Sequence, residues 1–295
     1  MYRRLTYLFI VYLYLATLTV FAQEKSSQVI SRKFESPVLK RKVNYTVYLP
    51  PTYHNNNLHY PVMYLLHGYG GNETSWLKQG NLQKIADSLI YSDILPETVI
   101  IMPDGGNSYF INNFNATNNY EHFFINEFLP FTTTEFRIMP QKGARSICGL
   151  SMGGFGALVL AAKHPGEFGH VIALSAAVRT PADFIDLPQA KYQANFAAIF
   201  GDSLQDKQRI SPHWKINSPY FIIDSLSANQ MKTINWYIDC GSDDFLFGSN
   251  KAFHEHLNNL GIPHEYHVRK GEHNWEYWQS GFVSAMIFLS SHIIK

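Results

Sequence analysis

The stretch "ICGLSMGGFGA", residues 147–157, sets one serine among four glycines. Ser151 is the centre of Gly149-Leu150-Ser151-Met152-Gly153, a match to G-x-S-x-G. So short a pattern has meaning only in context. The run "ARSICGL" (144–150) before it reads as a buried strand. "GFGALVLAAKHP" (154–165) after it reads as a helix of small and apolar residues that closes at Pro165. A serine on so sharp a strand-to-helix turn leaves almost no room for side chains two residues before and after it, and Gly149 and Gly153 meet that need. The turn strains the backbone at Ser151, lifts its hydroxyl above the sheet, and sets a helix N-terminus beside it. No G-x-x-x-x-G-K-[ST] pattern is present, which disfavours a phosphate loop. Ser151 therefore reads as a nucleophile.

Outward from the serine, apolar runs alternate with helical spacing. "VNYTVYLP" (43–50) alternates and reads as an early antiparallel strand. "YPVMYLLHG" (60–68), "TVIIMPDGG" (98–106), "HVIALSAA" (170–177), "TINWYIDCG" (233–241) and "HEYHVRKG" (264–271) read as further strands. Between them, 81–90, 121–136, 250–261 and 276–293 carry helical stripes, the second bent near Pro130. Residues 178–232 read as irregular and aromatic, with "SPHWKINSPY" as a loop signature. Strands alternating with helices predict an α/β fold, a mostly parallel central sheet with helices on both faces. The mature chain, 23–295, reads as one domain with 178–232 as a cap-like insertion.

A serine hydroxyl needs a base within hydrogen-bond reach, and the base needs an orienting carboxylate. With this kind of elbow the chain order is serine, acid, histidine. His254 and His256 fall on a helix, and His264 and His267 on opposite faces of the last strand. His273, in "KGEHNWEYW", follows that strand at its carboxyl end, where the chemistry of parallel sheets gathers. It reads as the base. For the acid, "IDCGSDDFLFG" offers Asp239, Asp243 and Asp244. Asp239 lies within the apolar run; spacing alone leaves Asp243 and Asp244 both open. The oxyanion of a tetrahedral intermediate needs two donors. Met152 N–H is one. The glycine-rich loop "LLHGYGGNETSW" (65–76) supplies the other as Tyr69 N–H, and its glycines, Gly68 among them, let backbone approach the substrate.

Together "LHGYGGNETSW", "GLSMGGFGA", "CGSDDFLF" and "GEHNWEYW" resemble the "putative esterase" branch of the α/β-hydrolases, over essentially the whole mature chain. That branch holds feruloyl and acetyl xylan esterases, S-formylglutathione hydrolase, enterobactin esterases and mycolyltransferases. The resemblance implies an α/β-hydrolase fold with Ser151 as nucleophile, His273 as base, and Tyr69 and Met152 as oxyanion donors. The family's C-G-x-x-D pattern places the acid on Asp244. Phe155 departs from a position where many relatives carry tyrosine. The glycine-rich loop and the G-x-H-x-W ending resemble the carbohydrate esterases most, which implies an ester-decorated oligo- or polysaccharide as substrate, feruloyl or acetyl xylan above all. The same triad would serve an acyltransferase or an esterase of another small ester such as a siderophore. Trp275 and Trp214 are the expected aromatic walls of the substrate pocket, with Trp278 as helix packing.

The N-terminus places this chemistry. Arg3 and Arg4 precede an uncharged, largely apolar stretch from Leu5 to Ala22, and Val20-Phe21-Ala22 suits a signal-peptidase cut before Gln23. A retained anchor is the alternative. Export to the periplasm or beyond follows, with no stable membrane association after cleavage. Removing Arg3 and Arg4 changes the formal charge from +1 to −1, and a near-neutral chain without basic blocks argues against a nucleic-acid partner. No His/Cys/carboxylate cluster has ligand spacing, so neither metal nor other cofactor is expected. Cys148 and Cys240 end two different strands. With one strand between them they would stand about 10 Å apart, too far for a disulfide, so both are expected as buried free thiols.

Overall fold

The computed structural model describes residues 26–225 and 228–294. The expected signal segment, 1–22, lies outside the described residues. Eight strands form one sheet: β1 (Gln28–Ser36), β2 (Arg41–Leu49), β3 (Val62–Leu66), β4 (Val99–Pro103), β5 (Arg145–Leu150), β6 (His170–Leu174), β7 (Asn235–Gly241) and β8 (Glu265–Arg269). Their order is β1-β2-β4-β3-β5-β6-β7-β8. β1 pairs antiparallel with β2, β2 antiparallel with β4, and every later pairing is parallel. β1 was not foreseen. Its sequence, QVISRKFES, is polar and mostly exposed, as suits an edge strand, so it lacks a buried strand's apolar signal.

Alternate residues of the inner strands enter opposite cores. Val62, Tyr64 and Leu66 of β3 join one cluster, whereas Met63 and Leu65 join the other. The first cluster is covered by the 120–135 helical segment, by α2 (Met152–Lys163) and by α3 (Phe247–Asn259). The second is covered by α1 (Leu82–Tyr91) and α4 (Trp275–His292). Helices on both faces explain why these strands read as unbroken apolar runs. The bend expected near Pro130 is a single wide π turn, Phe124–Phe128, just ahead of the proline. It lies where Pro130 has no N–H to return to the chain.

Residues 178–232 are not irregular. They form short helices at Pro181–Ile185, Gln189–Asn195, Ala197–Phe200, Pro212–Ile216, Pro219–Ser225 and Ala228–Met231. The two Ser-Pro pairs of "SPHWKINSPY", read as loop signals, are helix starts. Thr180 and Ser211 cap two of these helices by accepting the N–H groups of Asp183 and Trp214 at 3.1 Å, with proline at the first helical position. β6 separates β5 from β7, so Cys148 and Cys240 are held apart; both are buried and free.

From β3 the chain turns one way to β4 and then the other way to β5. A crevice opens where the winding reverses, at the carboxyl ends of β3 and β5. The loop holding Tyr69 and the turn holding Ser151 flank it.

Candidate active site

Ser151 follows β5 with φ 52° and ψ −116°, a backbone conformation a side-chain-bearing residue rarely adopts. The surroundings enforce it. A Cβ at Gly149 would stand 2.3 Å from the carbonyl carbon of Gly153, and one at Gly153 would stand 2.5 Å from the Leu66 carbonyl oxygen. Three backbone segments meet here with no space for a methyl group. Ser151 N–H donates to Leu174 O, and Ser151 O accepts from Ala177 N–H, both at 2.9 Å, so β6 fixes the turn from the side.

His273 sits between β8 and α4. Its Nε2 is 2.9 Å from Ser151 Oγ and its Nδ1 is 2.8 Å from Asp244 Oδ2. Asp244 has its side chain fully out of solvent, and His273 is 17% exposed. The carboxylate can only accept, so Nδ1 carries the proton and Nε2 is free to take one from the serine. Burial on its own would raise the Asp244 carboxyl. The hydrogen bonds from His273, from Leu246 N–H and from the Ser175 hydroxyl outweigh it and hold that carboxyl below its ordinary range. Asp239 is engaged elsewhere: its two oxygens accept from Arg269 Nε and Nη2 at 3.1 and 3.2 Å. Asp243 is exposed and faces solvent rather than the imidazole.

The loop after β3 is braced. His67 donates from Nδ1 to Gly68 O at 2.8 Å and accepts at Nε2 from Gly105 N–H at 2.9 Å. Gly70 N–H donates to Asn107 Oδ1 at 2.8 Å. A Cβ at Gly68 would lie 3.6 Å from the Ser151 Cβ, so the loop passes directly beside that serine. Neither Tyr69 N–H nor Met152 N–H has an acceptor among the described residues. Met152 opens α2, where first-turn N–H groups lack intrahelical partners.

Ser151, His273 and the loop after β3 line a cavity of about 750 Å³. Gly68, Tyr69 and Trp275 face it. Trp214 does not. It is 4% exposed, stacks on Phe184 with centroids 5.2 Å apart, and touches only a void of about 10 Å³ behind the cleft. Its expected role as a pocket wall is therefore corrected to the aromatic core of the insertion. Trp278 does more than pack its helix. Its ring stands edge-on to His273 at 4.8 Å, and its Nε1 donates to Ser175 Oγ at 3.0 Å.

Sequence reasoning missed Ser175, Phe245 and Arg179. Ser175 is fully buried with φ 45° and gives Asp244 a hydrogen bond. Phe245 is 65% exposed, with its ring 4.6 Å from that of His273. Arg179 comes into the cleft from the insertion. Only Phe245 carried a signal, an aromatic residue immediately after the acid. At Phe155 the ring packs edge-on against Tyr109 at 5.6 Å, a contact that needs no hydroxyl.

Taken together, the arrangement can activate a serine hydroxyl, hold a histidine in one tautomer and offer two N–H donors to a developing oxyanion. A family model described as "Putative esterase" matches residues 36–289. An esterase of Mycobacterium tuberculosis (strain H37Rv) is 30% identical over 261 residues, covering 82% of this chain and 54% of that protein. The chain thus spans about half the length of that relative. An acetyl esterase of Caldicellulosiruptor saccharolyticus is 30% identical over 234 residues, 77% of this chain and 82% of the relative. Among solved structures, a ferulic acid esterase superposes with a TM-score of 0.78 at 30% identity, covering 91% of this chain and 100% of the other.

Proposed function

The chain belongs to this esterase family of the α/β-hydrolase fold, and from that premise we propose that it is an exported serine esterase that removes feruloyl or acetyl groups from xylan-type polysaccharide. The observation that carries the reading is the unbroken hydrogen-bond relay Ser151–His273–Asp244, at 2.9 and 2.8 Å, in the wall of an open cleft. Ser151 Oγ attacks the ester carbonyl while His273 Nε2 takes its proton. The negative charge that forms on the carbonyl oxygen is met by Tyr69 and Met152 N–H. His273 then returns the proton to the leaving sugar oxygen, which leaves an acyl group on Ser151. Water, deprotonated by His273, releases the acid and restores the serine. Asp244 stays ionised throughout and keeps the imidazole facing the serine.

A volume of about 750 Å³ lies in the upper part of the range for small-molecule sites, roughly 300–1,000 Å³, and suits an aromatic acyl group with an attached sugar. Flat rings at Tyr69, Trp275 and Phe245 around the serine suit stacking on both. Export is supported by the apolar segment after Arg3 and Arg4 and fits a polymeric substrate. The test is acid release from methyl ferulate and from acetylated xylan in parallel, with and without a sugar acceptor, and with 4-nitrophenyl acetate as the neutral reference. Ser151→Ala is expected to lower kcat/KM about 10⁴–10⁶-fold. A variant that keeps more than a tenth of the rate overturns the reading, and acyl transfer to the acceptor in preference to water replaces hydrolase with transferase.

A further inference from the structure

Arg179, in the cleft, has no acceptor among the described residues. Among the described residues, the other buried or half-buried arginines all donate: Arg137 to Tyr53 O, Arg145 to Glu167, Arg209 to the Ile185 and Leu187 carbonyls, Arg269 to Asp239. Arg179 is half-buried and lines the cleft, yet it makes no hydrogen bond and no ion pair. Its Nε is out of solvent and unsatisfied. Its guanidinium lies over the Phe196 ring, 5.7 Å from Cζ to the centroid. The nearby carboxylate, Asp183, is taken by Thr180 N–H at 3.3 Å and by the Ser249 hydroxyl at 3.0 Å. A guanidinium drawn partly out of water with its donors unused is costly unless something supplies acceptors.

The rest of the lining has the same sign. Lys191 and Lys78 also face the cavity; among the described residues neither is ion-paired, and no aspartate or glutamate lines it. Lys191 Nζ lies 5.5 Å over the Phe245 ring, whose other neighbour is the His273 imidazole. A chain of near-zero formal charge thus gathers three cations around its nucleophile.

Building on the esterase reading above, we infer that the cleft selects esters carrying a carboxylate near the scissile bond, with Arg179 receiving that carboxylate and Lys191 adding a second positive charge beside the base. The planar guanidinium fork suits a carboxylate through two parallel N–H···O bonds. Two halves of an ester could carry the group: the alcohol, as a uronic acid next to the esterified sugar, or the acyl part, as the free end of a dicarboxylic acid. The chemistry at Arg179 is the same for both.

The experiment uses matched ester pairs on the full mature chain. For the alcohol half, kcat/KM on 4-acetoxybenzoate is divided by that on methyl 4-acetoxybenzoate. For the acyl half, 4-nitrophenyl hydrogen succinate is divided by 4-nitrophenyl butyrate. Arg179→Gln is expected to lower at least one ratio fivefold or more, and Arg179→Lys to restore part of it. The ratio that moves names the half. A smaller change in both ratios overturns the inference, because a merely structural arginine would affect both members of each pair alike. Failure of the wild-type chain to hydrolyse any of the four esters would sink the esterase reading instead. Binding would then decide the inference alone: calorimetric titration of Ser151→Ala with 4-nitrophenyl hydrogen succinate should be at least fivefold tighter than that of Ser151→Ala/Arg179→Gln, and equal affinities refute it.

Discussion

The cleft has two walls built on different principles. One consists of strand ends: the β3 loop, the β5 elbow, the loop after β7 and the loop after β8. The other is the insertion of short helices at 178–232, which brings Arg179, Lys191 and Phe196 to the same cavity. In the first wall backbone presses on backbone, and position is set by hydrogen bonds between main-chain groups around Ser151. In the second, position is set by ring packing. Phe184 touches Tyr192, Phe196, Phe200 and Trp214 within 5.2–5.7 Å. A backbone-fixed wall holds reacting atoms to the tolerance that proton transfer demands. A ring-packed wall can change its lining residues without moving the elbow, which suits a surface that sets specificity.

The hardest way to break the first wall is to add one carbon. Gly149→Ala would place a Cβ 2.3 Å from the Gly153 carbonyl carbon, in a spot closed on the far side by the Leu66 and His67 carbonyls that crowd Gly153. Nothing flexible can yield. The variant is expected to lose at least about 4 kcal/mol of stability or to fail to fold, in the range reserved for severe backbone strain. Urea denaturation with wild type alongside measures it. Loss of less than about 1 kcal/mol would mean that the elbow is softer than this contrast requires.

The same contrast explains what could be read in the sequence. Ser151, Gly149 and Gly153 were legible because their requirements are local: a sharp turn permits few residues. His273 was legible because it follows the last strand, and Asp244 became so only once the spacing C-G-x-x-D was brought to bear. Ser175 was not legible. It is a serine among small residues after β6, and its partners Trp278 and Asp244 are remote in the chain. Trp214 was misplaced for the same reason. Whether a tryptophan faces a cleft or a core depends on rings at Phe184 and Phe221 that no spacing announces. The short helices were hidden because a Ser-Pro pair opens a loop and caps a helix equally well.

Breaking the ring-packed wall should spare the chemistry. Trp214→Ala removes the ring stacked on Phe184 and set edge-on to Phe221 at 5.6 Å. Filling of that kind is worth about 3–5 kcal/mol when a large aromatic is truncated in a core. The loss should concentrate in hydrogen exchange of 181–225, while amides of β5 and β6 stay protected. Uniform loss of protection across both walls would show that they are one cooperative unit.

Acid probes the backbone-fixed wall more gently. The Asp244 carboxyl is held below its ordinary pKa, so its share of stability is complete above the unfolded value, about 3.9, and is lost as pH falls through the folded value. Stability should therefore decline below about pH 4, and Asp244→Asn should flatten that part of the limb. Denaturant midpoints between pH 2 and 5 read the difference. Glu121, held low in the same way although burial opposes it, by His164 and Lys163, keeps a slope of its own in the variant, so the limb should shrink rather than vanish.

The smallest change isolates crowding from glycine content. Gly248 lies four residues past Asp244, near the start of α3, compared with two residues between Ser151 and each elbow glycine. A Cβ there meets nothing within 4 Å, and its φ is not in the left-handed region. Gly248→Ala should stabilise the chain by about 0.5 kcal/mol, because alanine narrows the unfolded ensemble and suits a helix better than glycine. The sign is the point. If this alanine destabilised as Gly149→Ala does, proximity to Ser151 and Asp244 would matter in its own right. If it stabilises, what distinguishes the elbow is contact between main-chain atoms, and the first wall is rigid only where those atoms touch.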